Sequence, residues 1–159
     1  MKKIFSKRVF LLTLFTCLFA TKSLADCTVY FFVDFRFSHK EYMVKVNGRN
    51  AFKLEAEKEN YAFGAKVEGL YKMVARKVIF KKADTYVISC DCATNHGTMT
   101  AELNLNLEDG ETYYVVFNAG MKNPFYAELL TEKKGLKLLK KAQTNKKYTI
   151  NKDIVYYAK

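Results

Sequence analysis

Tryptophan is absent from this 159-residue chain, proline occurs once and histidine twice, and the seven glycines never form a run. Each shortage excludes something. Without a Pro- or Gly-rich stretch there is no linker of the kind that separates domains. There is no phosphate-cradling glycine loop, no HExxH helix and no GxSxG elbow. After residue 25 only Ser38 and Ser89 remain as serine nucleophiles, with His39 and His96 as the only imidazoles. Ser38 and His39 are sequence neighbours, which does not by itself create nucleophile–base geometry. Glu55, Glu57 and Glu59 alternate and so share a strand face, whereas a glycosidic carboxylate pair must flank a sugar from two sides. These absences point away from enzyme chemistry, and nothing in the sequence calls for a cofactor.

Long apolar runs are also scarce. Val9 to Ala20 is the principal one, and twelve residues rise only about 18 Å as a helix, short of the ~30 Å hydrocarbon core of a bilayer. Basic residues precede it (Lys2, Lys3, Lys7, Arg8), and Ser23-Leu24-Ala25 places small residues at the −3 and −1 positions of a cut before Asp26. The pattern predicts a signal peptide over residues 1–25 and export, to the periplasm or beyond the cell. Residues 26–159 then form one domain, large enough to bury a core without dense cross-linking.

The charge is unevenly distributed. Residues 26–159 carry 22 basic and 16 acidic groups, a balance of +6. Residues 131–159 hold nine lysines against Glu132 and Asp153, a balance of +7, so the body is close to neutral and the tail is basic. That distribution does not suit a nucleic-acid binder, whose basic groups line a shared face.

What the sequence has in abundance is alternation, the period of half-buried strands. Cys27, Val29, Phe31, Val33 and Phe35 fall on one face of a first strand. Tyr42 to Val46 and Arg49 to Glu55 flank Asn47-Gly48, the signal of a type I′ hairpin. Tyr86, Ile88, Cys90 and Cys92 share a face, and Leu103, Leu105 and Leu107 alternate with asparagines. Glu108-Asp109-Gly110 turns the chain into a strand over Thr112 to Asn118, and Tyr126 to Leu130 suits another. In residues 60–80, Val67, Leu70, Tyr71, Val74 and Val78 fit a helical face, yet Val74 to Phe80 suits a strand, which the glycines at 64 and 69 favour. The expected fold is mainly β, a small antiparallel sandwich (immunoglobulin-like or a related barrel) with a short C-terminal helix. Eleven tyrosines suit strands as well as they would suit glycan stacking.

Val29-Tyr30-Phe31-Phe32, the Val44-Lys45-Val46-Asn47-Gly48 hairpin, Gly110-Glu111-Thr112-Tyr113-Tyr114 and Glu128-Leu129-Leu130 to Gly135-Leu136 resemble a bacterial exported family known as domain of unknown function 2846. The resemblance implies a compact extracytoplasmic β-domain without an established activity, and it carries over no catalytic residues. Two features depart from the family: Lys81-Lys82-Ala83-Asp84 stands where a glycine-bearing turn is expected, and residues 56–80 are longer.

Three cysteines follow the signal. In an oxidising compartment a disulfide is expected. Cys90 and Cys92 lie two apart on one face, about 6.5–7 Å, an awkward span for bonding each other. Cys27 is therefore expected to pair with one of them, leaving a buried, inert thiol. The sharper alternative joins Cys27, Cys90, Cys92 and His96 as a soft-metal site for zinc or Cu(I). In the tail, Leu136, Leu138, Leu139 and Ala142 fall on one side of a helical wheel, and Lys133, Lys134, Lys137, Lys140 and Lys141 on the other. Such a helix either packs its leucines on the β-domain or lies on an anionic membrane surface. The sequence thus supports a non-catalytic binding or structural module with an envelope or extracellular partner. The alternatives are a peripheral module docking its lysine-rich tail on anionic lipid or polymer and, more remotely, a soft-metal binder.

Overall fold

The computed structural model describes residues 26–34, 41–58, 61–62, 65–66, 72–94, 97–118 and 125–158. Residues 1–25, expected to be a signal peptide, Phe35, Ser38, His39, Glu59 and His96, and the helical reading of Val67, Leu70 and Tyr71, lie outside the described residues.

Two sheets face each other, as the alternation predicts. The first has the order β10 (Tyr126–Leu129), β9 (Thr112–Asn118), β1 (Cys27–Val33), β6 (Met73–Phe80) and β11 (Tyr148–Ile150), with β12 (Ile154–Tyr156) also on β6. The second has the order β3 (Arg49–Glu55), β2 (Glu41–Val46), β7 (Thr85–Thr94) and β8 (Gly97–Asn106). A separate two-stranded piece joins β4 (Tyr61–Ala62) to β5 (Ala65–Lys66). Sheet two is antiparallel throughout. Sheet one is mixed, because β9 runs parallel to β1, and β11 and β12 run parallel to β6.

The period-2 pattern decides what is inside. Cys27, Val29, Phe31 and Val33 are buried between the sheets with Val74, Val78 and Phe80 of β6, against Tyr42, Val44, Leu54, Tyr86, Ile88, Cys90, Cys92 and Leu105 of sheet two. Phe31 anchors this core, with its ring 5.2 Å from Phe52 and 6.1 Å from Phe117. The reading of Val74 to Phe80 as a strand is borne out.

The turns follow their chemistry. Asn47 (φ 51°) and Gly48 (φ 75°) both lie in the left-handed region that a type I′ turn requires. Asn47 also joins the adjacent strand: its N–H donates to Val87 O (2.8 Å) and its Oδ1 accepts from Val87 N (2.9 Å). The glycine-free crossing from β6 to β7 is held by side chains instead. Asp84 pairs with Lys82 (2.6 Å) and accepts from Thr85 N (2.9 Å), while the Tyr86 hydroxyl donates to Lys82 O (3.0 Å).

The tail contains more than a helix. After α1 (Glu132–Thr144) the chain returns as β11 and β12, one interrupted edge strand beside β6. The register shifts by one residue between Ile150↔Ala75 and Ile154↔Val78. Asn151 sits in that interruption and spans the sandwich. Its Nδ2 donates to Glu55 O (2.8 Å) and its Oδ1 accepts from Glu55 N (2.9 Å), so one side chain takes the place of a strand partner for β3.

Candidate functional site

The disulfide expected at Cys27 does not form, and all three described cysteines are free and buried. The reason is longitudinal placement. Cys27 pairs with Phe80, and the Phe80 ring lies 5.1 Å from Tyr86, so Cys27 and Tyr86 share one end of the sandwich. Cys90 and Cys92 lie four and six residues further along β7, roughly 13 and 20 Å away at 3.3 Å per residue. A disulfide needs Cβ atoms about 4 Å apart. Sequence alternation put all three thiols on inward faces, which is correct, but it says nothing about their level along the strands. The same displacement separates Cys27 from Cys90 and Cys92 in the proposed metal set; His96 lies outside the described residues. Among the described residues no group of three His, Cys, Asp or Glu is placed to hold a metal ion.

The thiols are chemically quiet. Burial pushes Cys27 and Cys90 up from their ordinary range and Cys92 up to about 11, so all three stay protonated at neutral pH. The Cys27 thiol donates to Glu108 O at 3.2 Å. Ser89 is buried in β7.

The tail helix is placed on the outer face of sheet one. Gly135, Leu138, Leu139 and Ala142, spaced i, i+3, i+4 and i+7, meet a second apolar cluster of Phe32, Met73, Ala75, Tyr114, Val116 and Tyr148. Gly135 is the closest approach, since a Cβ there would lie 2.1 Å from Tyr114 Cγ. The glycine that weakens the helix by propensity is what lets it settle on the sheet. Leu136 departs from the wheel reading: it is 48% exposed and takes no part in that seam.

The five lysines divide in two. Lys141 pairs with Asp34 (3.3 Å) and lies over the Tyr148 ring (5.5 Å from its centroid), while the Tyr148 hydroxyl donates to the same Asp34 oxygen. Lys141 therefore ties the end of the helix to β1 and β11. Lys134 lies 3.8 Å from Glu128 of β10. Lys133, Lys137 and Lys140 are exposed, carry no ion pair among the described residues, and follow i, i+4, i+7 spacing. Leu136 borders their stripe on the Lys140 side. The outward face of α1 is thus three cations without an ion pair among the described residues, flanked by one exposed leucine. Among the described residues no helix is long and apolar enough to cross a membrane.

Two features had little or no sequence signal. Asn151 has none, since Asn151-Lys152-Asp153 reads as loop. Arg76 has one: Val74-x-Arg76-x-Val78-x-Phe80 sets a cation on an otherwise apolar strand face.

No protein-family model, no curated protein and no solved structure matches this chain.

Proposed function

We propose that this chain is an exported, non-catalytic binding module of the cell envelope that docks on anionic lipid through the outward face of α1. The observation carrying this reading is the division of the helix. Its apolar seam of Gly135, Leu138, Leu139 and Ala142 is spent on the sheet, while Lys133, Lys137 and Lys140 face outward without an ion pair among the described residues. Docking on this reading is electrostatic, with Leu136 as the only large apolar group of the helix left exposed.

The magnitudes suit a weak, reversible contact. Each lysine near an anionic bilayer contributes on the order of 1 kcal/mol, so three together give about 3 kcal/mol before the cost of association. Such attraction is screened over ~8 Å at physiological salt. The protonated thiols, and the absence from the sequence of a GxSxG, HExxH or phosphate-loop motif, support a role without turnover. Kinship with domain of unknown function 2846 belongs to the same proposal and rests on the short motifs quoted above. Co-sedimentation with anionic vesicles across a salt series tests the reading, with the Lys133→Gln, Lys137→Gln, Lys140→Gln triple variant as the comparison.

A further inference from the structure

A register shift in the β2–β3 hairpin decides which way Arg49 faces. Val46 pairs with Arg49, Lys45 with Asn50 and Val44 with Phe52, so Ala51 is an extra residue with no partner on β2. Directly opposed residues place their side chains on one face of a sheet. Val44, Val46 and Phe52 are buried between the sheets, so Arg49, opposite Val46, lies on the same inward face. Strict alternation back from Phe52 would turn Arg49 outward, and the bulge at Ala51 re-aims it. Arg49 opens β3 and stays exposed, with no ion pair among the described residues.

Tyr156 reaches the same space from the other sheet. It pairs with buried Phe80, and its ring lies 5.1 Å from Phe80 and 6.3 Å, edge-on, from buried Tyr86. The ring is therefore on the inward face of β12, half-buried, and its hydroxyl has no hydrogen-bond partner among the described residues. Between residues 46–51 and residues 156–158 lies a cleft of about 410 Å³, with Arg49, Ala51, Tyr86 and Tyr156 in its lining. That volume is within the ordinary range for small-ligand sites. No acidic residue lines it, so nothing in the lining competes with an anion for Arg49. β3 is the last strand of its sheet, which leaves backbone donors and acceptors along residues 49–51 without a ladder partner on the outer edge. A plain hydrocarbon would leave these polar groups unmet. An acidic sugar meets all of them. Its carboxylate accepts from the guanidinium, its hydroxyls serve the open backbone and the Tyr156 hydroxyl, and its C–H bonds meet the aromatic ring.

We propose that this cleft binds an acidic saccharide, a hexuronate unit, with its carboxylate on Arg49 and its ring against Tyr156. Methyl glucuronide is the direct probe, titrated into residues 26–159 while the Arg49 and Tyr156 resonances are followed by NMR. The expected result is a saturable shift of both. Methyl glucoside, the same ring with a hydroxymethyl group in place of the carboxylate, is expected to bind at least ~10-fold more weakly, as is acetate, the carboxylate without the ring. Benzoate, an anion with a flat apolar body and no hydroxyls, should also bind more weakly than methyl glucuronide. Arg49→Gln removes the charge from an exposed side chain, so the melting temperature should hold while affinity for methyl glucuronide falls at least ~10-fold. No residue of α1 lines the cleft, and changing Lys133, Lys137 and Lys140 to Gln is expected to leave this binding intact. The proposal is overturned by the absence of a saturable shift, or by methyl glucoside, acetate or benzoate binding as tightly as methyl glucuronide. Unchanged affinity in Arg49→Gln, or lost affinity in the α1 triple variant, overturns it equally.

Discussion

Gly135 rests directly on the ring of Tyr114, so close that an added Cβ would lie 2.1 Å from Cγ and 2.5 Å from Cβ of the tyrosine. Those are the innermost atoms of a buried side chain that also stacks on Tyr30 at 5.5 Å, so the ring cannot swing aside cheaply. This contact fixes how α1 lies, and with it which lysines face outward.

Gly135→Ala sets two effects against each other. Alanine gains about 1 kcal/mol of helix propensity. The overpacking at Tyr114 costs typically 1–3 kcal/mol and more where the neighbour cannot move. The clash should win, and the melting temperature should fall. A Tyr114→Ala background, which removes the obstructing ring, should reverse the sign, and a double-mutant cycle by thermal unfolding reads the coupling.

Asn151 should matter more than its loop-like setting suggests. Asn151→Leu removes both hydrogen bonds to the Glu55 backbone and leaves a half-buried N–H and C=O unmet. The expected loss is about 2–4 kcal/mol, read from urea unfolding, against under 1 kcal/mol for the exposed neighbour Lys152→Gln.

The thiols define the alkaline limb of stability. Burial raises the folded pKa of Cys92 to about 11 and moves Cys90 well above its ordinary value of 9.0. Tyr42, which pairs with Cys92 across the β2–β7 ladder, is raised as well, first by burial and then by the two thiols. A raised folded pKa means that the unfolded chain loses its protons first. The stabilisation is complete below pH 9 and declines as pH rises toward 11. Cys90→Ala, Cys92→Ala should flatten that decline. In native protein at pH 8 none of the three thiols should react with a disulfide reagent, and after unfolding all three should. A native disulfide found by peptide mapping would contradict the placement of Cys27.

Leu136 and Leu139, alike on a helical wheel, should behave differently. Leu139→Ser opens the seam on the sheet and should lower the melting temperature. Leu136→Ser changes an exposed side chain, should leave stability within about 0.5 kcal/mol, and should weaken vesicle binding only modestly.

The sequence revealed the sandwich because its strands are half-buried, and period 2 then marks every inward residue, from Cys27 to Leu107. It revealed α1 for the same reason at period 3.6. Position along a strand leaves no such mark, so the level of Cys27 relative to Cys90 was not legible and the disulfide expectation failed. Tyr148–Ile150 and Ile154–Tyr156 carry strand-forming residues, but three-residue pieces among lysines give too few positions for a period to emerge. The partners of Lys134 and Lys141 come from β10 and the end of β1, contacts that only the folded chain brings together. Arg76 was visible as a cation on an apolar face; that its Nη1 finds Lys53 O of β3 as an acceptor is a contact only the folded chain brings together.

The most direct test of the account is co-sedimentation of residues 26–159 with vesicles rich in anionic lipid, at low and at physiological ionic strength. The account predicts weak binding at low salt that disappears as salt is raised, and no binding by the Lys133→Gln, Lys137→Gln, Lys140→Gln variant, whose melting temperature stays that of the wild type. Absence of binding by the wild-type chain at low salt would contradict it, and so would binding that persists in both high salt and the triple variant.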